Sequence, residues 1–260
     1  MVLSKADIHT HTSISDGLMT PEALVEYVAT QTDIRVLAVT DHDTIEGGVI
    51  ARAYRDAFPN DFAHLDVIVG TEVLAKECEV IGLFVHEDIP PGLSAAETVE
   101  RIHAQGGLAL APHPYAFWTR VVPGAVGMTG AAGLMRSVPF DAVEVINSTP
   151  TEVLGNPLTR VMNQRWQQIP AFGGSDGHYL PTVGSAYTLF PGTTADDLRK
   201  AITNGQIEAA GGVYSPLLAF NVIWDKLTGQ LPVTDLDPAR AARWTRESAS
   251  APAGKRLTLA

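Results

Sequence analysis

Short apolar runs rich in Val, Ile and Leu recur along the chain, at residues 6–9, 34–40, 65–69, 80–85, 108–111, 142–146, 169–172 and 186–190. They show little polar alternation, which predicts β-strands buried on both faces. Helix signals lie between them. Thr20 caps a helix with Pro21 at its first position, followed by the apolar spacing Leu24, Val25, Val28. Ser94 and Glu97 form a capping box ahead of Val99 and Ile102, and Gly106-Gly107 ends that helix. Thr194 and Asp197 resemble a second box, with Leu198 and Ile202 behind it and Gly205 as the stop. This alternation argues for an α/β fold with a parallel sheet, open or closed into a barrel. Two stretches break the rhythm. Residues 122–133 are rich in Gly and Ala and predict a flexible loop, either a plain connection or a lid. After residue 212 the pattern changes: 217–227 reads as a docking helix and 235–260 as a peripheral tail with weak order of its own. The expected organisation is therefore a main unit over 1–212 and an extension over 213–260.

The polar residues are informative by position. The first run leads into His9 and His11, the second into Asp41, His42 and Asp43, the third through Gly70 into Glu72, the fifth into His113. The run at 142–146 ends at Asn147, and that at 169–172 leads through two glycines to Asp176 and His178. In a parallel barrel the C-terminal strand ends converge on one face, and in an open sheet they line one crevice. Separate segments would thus deliver metal-competent side chains to one place. His9 and His11 lie two apart in an extended segment, so both rings point to one side, and Asp7 shares that side as a candidate orienter of an imidazole. Asp176 and His178 repeat the spacing. His64, His86 and His103 fall outside the pattern and are read as surface or structural histidines.

Composition narrows the chemistry. Imidazole and carboxylate ligands without thiolates suit Zn, Mn or Fe at a hydrolytic site. The single cysteine, Cys78, excludes an internal disulfide framework, fits a cytoplasmic setting and reads as a packing residue. A formal net charge of −11 over 260 residues disfavours an extended nucleic-acid surface. No basic leader precedes an apolar run, and no apolar stretch approaches the ~20 residues that span a bilayer. There is no nucleophile elbow, no phosphate-binding glycine loop and no dinucleotide fingerprint.

Asp7-Ile8-His9-Thr10-His11-Thr12, Ser15-Asp16-Gly17, Thr40-Asp41-His42-Asp43-Thr44, Gly70-Thr71-Glu72, Pro112-His113-Pro114 and Gly174-Ser175-Asp176-Gly177-His178 together resemble the PHP (polymerase and histidinol phosphatase) family. The likeness runs in order from about residue 6 to 178, and more weakly to 212. It implies a distorted (β/α)7 TIM-like barrel of the PHP type holding two or three divalent ions. The first ion would take His9, His11, Glu72 and Asp176. Glu72 would bridge to a second ion held by His113, and Asp16, His42 and His178 would hold a third. The family's further histidine ligand, in a short H-x-x-G motif, is replaced here by Glu79 in Glu79-Val80-Ile81-Gly82, a candidate oxygen ligand.

The expected activity is hydrolysis of a small phosphate monoester or nucleotide by metal-activated hydroxide, releasing inorganic phosphate. Glu72, His178 and Arg120 are the candidate catalytic groups, with Arg120 as a phosphate clamp and Asn147 as a substrate ligand or barrel cap. Amide or lactone hydrolysis on a similar barrel, and a non-catalytic metal-binding module, are the competing readings.

Overall fold

Nine strands follow one another in the order β7-β6-β5-β4-β3-β2-β1-β8-β9 in a computed structural model that describes residues 3–116, 130–228 and 236–250. They are β1 (Leu3–Asp7), β2 (Ile34–Val39), β3 (Asp66–Leu74), β4 (Glu79–Leu83), β5 (Leu108–Ala111), β6 (Ala142–Asn147), β7 (Ala171–Gly174), β8 (Ala186–Pro191) and β9 (Glu208–Gly211). The helices are α1 (Pro21–Gln31), α2 (Glu46–Ala57), α3 (Ala95–Ala104), α4 (Gly155–Met162), α5 (Ala195–Thr203), α6 (Pro216–Thr228) and α7 (Pro238–Ser250). The sheet is a nearly closed, TIM-like barrel. Closure is made where β7 meets β8: Thr188 Oγ1 donates to Gly173 O at 2.8 Å and accepts from Gly173 N at 3.1 Å. A Cβ at Gly173 would lie 2.6 Å from Tyr187 O, so only glycine lets the two strands come this close.

The predicted caps are in place. Thr20 Oγ1 accepts from Ala23 N, and both capping boxes form, on α3 and α5. One buried cluster draws on eight strands (Ala6, Val36, Ile68, Ile81, Leu110, Ala142, Phe172 and Phe190 among its members) and fills the barrel. Two more pack the helices onto its outside, one with Tyr54, Phe58 and Phe62, the other with Cys78, Val99 and Ile102.

Three expectations need correction. The sheet is mixed: β4 runs antiparallel to β3 and β5, and β8 antiparallel to β1 and β9. An apolar run carries no direction, so sequence could not separate these strands from parallel ones. Among the described residues the strands number nine against the eight apolar runs, because the short Glu208–Gly211 strand forms by pairing with β8 and not by apolar pattern. The third concerns the tail. Residues 238–250 form α7, whose Trp244 is buried against Tyr54 and donates from Nε1 to Glu22 Oε1 at 3.0 Å. Arg240 grips Glu26 with Nε–Oε1 2.9 Å and Nη2–Oε2 3.2 Å. Among the described residues no helix is long and apolar enough to cross a membrane.

Candidate metal centre

Thr10 N and Thr40 N tie the end of β1 to that of β2, through Thr40 Oγ1 at 3.1 Å and Thr10 O at 2.8 Å. This holds the segment after β1 extended, and His9 and His11 enter the barrel mouth fully buried. β3 continues through Gly70 and Thr71, and Glu72, also buried, lies within it, bridged to the chain after β2 by Glu72 N to Asp41 O and Asp43 N to Glu72 O. β5 ends before His113 and β7 before Asp176 and His178. His113 (φ 25°) and Asp176 (φ 50°) both take left-handed backbone, strain of the kind that accumulates where a side chain must be aimed. A Cβ at Gly174 would lie 2.6 Å from that of His9, so this glycine lets β7 approach β1. Glu79 reaches the same mouth by the opposite route. Because β4 is antiparallel, its first residue lies level with the last residues of β3, where Leu74 pairs with Glu79.

Four atoms define the deepest part of the site. His9 Nε2 lies 3.4 Å from Glu72 Oε2 and 3.5 Å from Asp176 Oδ1, and His11 Nε2 lies 3.3 Å from each of the same oxygens. Ligands about 2.1 Å from a tetrahedral ion are spaced about 3.4 Å apart. Hydrogen bonds between them would be shorter, and His9 Nε2, both ring nitrogens of His11 and Glu72 Oε1 are buried without a hydrogen-bond partner. Each such orphan costs about 1–3 kcal/mol in the folded state, so the donor set fits a cation that engages them together. His113 Nε2 lies 3.2 Å from Glu72 Oε1 and 3.7 Å from Glu79 Oε2, so Glu72 presents one oxygen to each side. Nearer the surface, His178 Nε2 lies 3.2 Å and His42 Nε2 3.7 Å from Asp16 Oδ2. Four groups emerge in which each residue offers an atom within 4.8 Å of the others: His11-Asp16-His42-His178, His9-His113-Asp176, His9-His11-Glu72 and His42-Glu72-Glu79. All nine residues expected as ligands therefore converge.

Charge is balanced inside this cluster. Burial opposes protonation of His11 and His113, yet the neighbouring Asp176 and Glu72 carboxylates outweigh it for His11, and those of Glu72 and Glu79 do so for His113, raising each to about 10. Burial also pushes Glu72 up, but His9, His11 and His113 draw it well below the usual carboxylate range. Glu79 has no such surplus of cations: burial and then Glu72 push it up to about 7.

One orienting residue escaped the sequence reading. Glu144 is buried in β6, and its Oε1 faces His9 Nδ1 at 3.0 Å while Oε2 accepts from His113 N at 2.9 Å. It performs the task expected of Asp7, whose carboxylate accepts instead from the backbone of Ser175 (3.0 Å) and Gly184 (2.8 Å). Asn147 is fully buried rather than open to substrate: its Nδ2 donates to Glu144 Oε2 at 3.0 Å and to Asp176 Oδ2 at 3.1 Å. Asp41 braces the loop that carries Asp16, accepting from Thr12 N and Thr12 Oγ1, both at 2.7 Å, and from Ser15 Oγ at 2.6 Å. His64, His86 and His103 are exposed and outside the cluster, and Cys78 is buried in the core. Arg120 and most of the 122–133 loop lie outside the described residues.

The cluster opens into a cavity of about 250 Å³, whose lining includes Asp16, Glu72, His113, Thr149, Glu152 and His178. No Lys or Arg among the described residues lines it.

Residues 165–207 match the family model described as PHP-associated. An uncharacterized protein of Methanocaldococcus jannaschii is 43% identical over 122 residues, 43% of this chain and 68% of that protein. The 5'-3' exoribonuclease Rnm of Salmonella typhimurium is 35% identical over 107 residues, covering 39% of this chain and 35% of the enzyme. Among solved structures, a two-domain protein from Bacteroides vulgatus containing a predicted PHP-like metal-dependent phosphoesterase superposes with a TM-score of 0.63 at 16% identity. That superposition covers 81% of this chain and 65% of the other. Motif order, the barrel, the converging histidines and carboxylates and these relatives lead to one conclusion: the chain belongs to the PHP family of metal-dependent hydrolases.

Proposed function

We propose that the chain hydrolyses phosphoric esters at a centre of two or three divalent ions, with a small phosphorylated molecule as substrate and inorganic phosphate as product. The observation that carries this reading is the set of 3.3–3.5 Å spacings among His9 Nε2, His11 Nε2, Glu72 Oε2 and Asp176 Oδ1, in a mouth with no lining Lys or Arg among the described residues. Phosphoryl oxygens entering such a mouth need positive charge, and a cation-holding cluster is the source the described residues offer. His9, His11, Glu72 and Asp176 would hold one ion, Glu72, His113 and Glu79 a second, and Asp16, His42 and His178 a third. Bound divalent ions supply a water of lowered pKa and charge stabilisation for the phosphoryl group. The chain's own part is positional. Glu144 fixes the His9 ring, Asn147 fixes Asp176, and Asp41 fixes the Asp16 loop. A cavity of about 250 Å³ suits a phosphoryl group with few further atoms inside.

A second reading, cleavage at the 5′ end of a nucleic acid, is favoured by the 35% identity to an exoribonuclease. A phosphate-release panel of small monoesters beside 5′-phosphorylated oligonucleotides, run with Mn, Fe or Zn restored, separates the two. Elemental analysis of purified protein should find divalent metal, and the His9→Ala, His11→Ala double variant should lose both metal and turnover. Unchanged turnover by that variant in metal-free form would sink the proposal.

A further inference from the structure

The ligand set leaves one acid of the cavity unassigned. Glu152 lies in the 3-10 turn Pro150–Val153 that follows β6, only 4% exposed, and lines the same cavity as Glu72, His113, Asp176 and His178. The turn is firmly held. Asn147 Oδ1 accepts from Thr149 N at 2.9 Å and Thr149 Oγ1 at 2.7 Å, Asn156 clamps the Asn147 backbone at 2.9 and 2.8 Å, and Glu152 N donates to Thr149 O. The fold also makes room for this carboxyl group. Its Oε2 occupies the space that a Cβ at Gly155 would fill, so a larger residue there would push the carboxyl group aside. Unlike Glu79, Glu152 belongs to none of the metal-competent groups, and no ion pair joins it to a described Lys or Arg.

We propose that Glu152 is the proton donor of the reaction, delivering its carboxyl proton to the leaving oxygen of the ester. The inference rests on the hydrolase reading above. As the new P–O bond to water forms and the bond to the leaving oxygen breaks, that oxygen takes the Glu152 proton and departs as an alcohol. The Glu152 carboxylate then regains a proton from solvent, so ester and water give alcohol and phosphate. An alkoxide is a poor leaving group, and imidazoles whose lone pairs are committed to ions cannot supply the proton. Burial favours the protonated carboxyl, pushing Glu152 up to about 7 in the metal-free protein against the pull of His113, with Glu144 and Asp176 adding to the rise.

The test compares an alkyl phosphate, which needs protonation on departure, with 2,4-dinitrophenyl phosphate, which does not, using the metal-loaded protein. Glu152→Gln should lower kcat about 100-fold on the alkyl ester and less than about threefold on the activated one, within the usual range for general acids. Metal content should match that of the parent. Gly155→Ala, which displaces the carboxyl group without removing it, should give the same selectivity to a smaller degree, and it carries the comparison if Glu152→Gln does not fold. Infrared difference spectra near neutral pH supply a readout independent of turnover: a protonated-carboxyl band in the parent should vanish in Glu152→Gln. Equal losses on both esters at full metal content, or spectra without that band difference, overturn the assignment. A parent protein inert toward both esters overturns the hydrolase reading instead, and the infrared band then still reports the state of Glu152.

Discussion

The two halves of the barrel mouth use the same residue types in different surroundings. In the inner half, the side chains of His9, His11 and Glu72 are at most 1% exposed, and His9 Nε2, both ring nitrogens of His11 and Glu72 Oε1 lack hydrogen-bond partners. In the outer half, those of Asp16, His42 and His178 are 54%, 32% and 35% exposed, and His178 already satisfies itself on Asp16 and on the Asp176 carbonyl. An imidazole–carboxylate pair at the surface can be completed by water, whereas a buried one stays incomplete until something charged joins it. The inner half should therefore hold its ion tightly and be damaged without it. The outer half should exchange its ion readily and tolerate its loss. His11 links the two, stacked at 4.3 Å on His178 while its Nε2 faces Glu72 and Asp176.

The largest break in this contrast comes from Glu72, which serves His9 and His11 through Oε2 and His113 through Oε1. Glu72→Gln removes the charge shared by both sides, and turnover should fall by about a thousandfold or more with loss of inner metal by elemental analysis. Activity above a tenth of the parent value would show that the inner half is not the engine. Smaller and more selective effects are expected one step out. Glu144→Gln keeps the shape but weakens the carboxylate behind His9, and should cost about 10–100-fold in affinity for the inner ion. Asp16→Asn should release the outer ion alone. Competition with a chelator reads both, and equal losses of both ions in either variant would erase the distinction between the halves.

Most of this site is legible in the sequence because its ligands interrupt or follow apolar runs: a histidine or acid where such a run stops has few structural reasons to be there. Glu144 was not, since it stands inside the run at 142–146 and disappears into the strand pattern. A carboxylate amid residues buried on both faces is nonetheless a signal, as it needs partners inside the fold. Glu79 was legible as a motif position but not as a location, because only an antiparallel β4 brings the start of a strand to this end. The Ala- and Arg-rich composition around 238–250 concealed α7, although Asp237 followed by Pro238 is a cap signal: Asp237 Oδ1 accepts from Ala239 N and Arg240 N at 3.0 Å. Helix α2 gave the least warning, starting at an Ile45 that makes no side-chain cap and carrying Gly47 and Gly48 in its first turn.

The finest test of the contrast is the pH dependence of stability with and without metal. In metal-free protein His11 and His113 stand at about 10, against 6.5 for an ordinary histidine, because neighbouring acids outweigh the burial that opposes their charge. A raised value means the folded state holds these protons more tightly than the unfolded one. The stabilisation is therefore complete below about 6.5 and fades as pH rises toward 10. An ion that occupies the same nitrogens displaces those protons, so loading should release protons at neutral pH, and loaded protein should lack the alkaline decline. Asp16 behaves in the opposite sense: burial works against its charge, but His178, His11 and His42 lower it to about 2, so its contribution is present above 3.8 and lost only as pH falls through about 2. Since Asp16 is half-exposed, solvent screens that acid limb and keeps it small. Calorimetric melting between pH 6.5 and 9 should show the gap between loaded and metal-free protein widening steadily. Parallel curves would mean that the inner histidines carry no extra protons, and that burial fails to separate the two halves of the mouth.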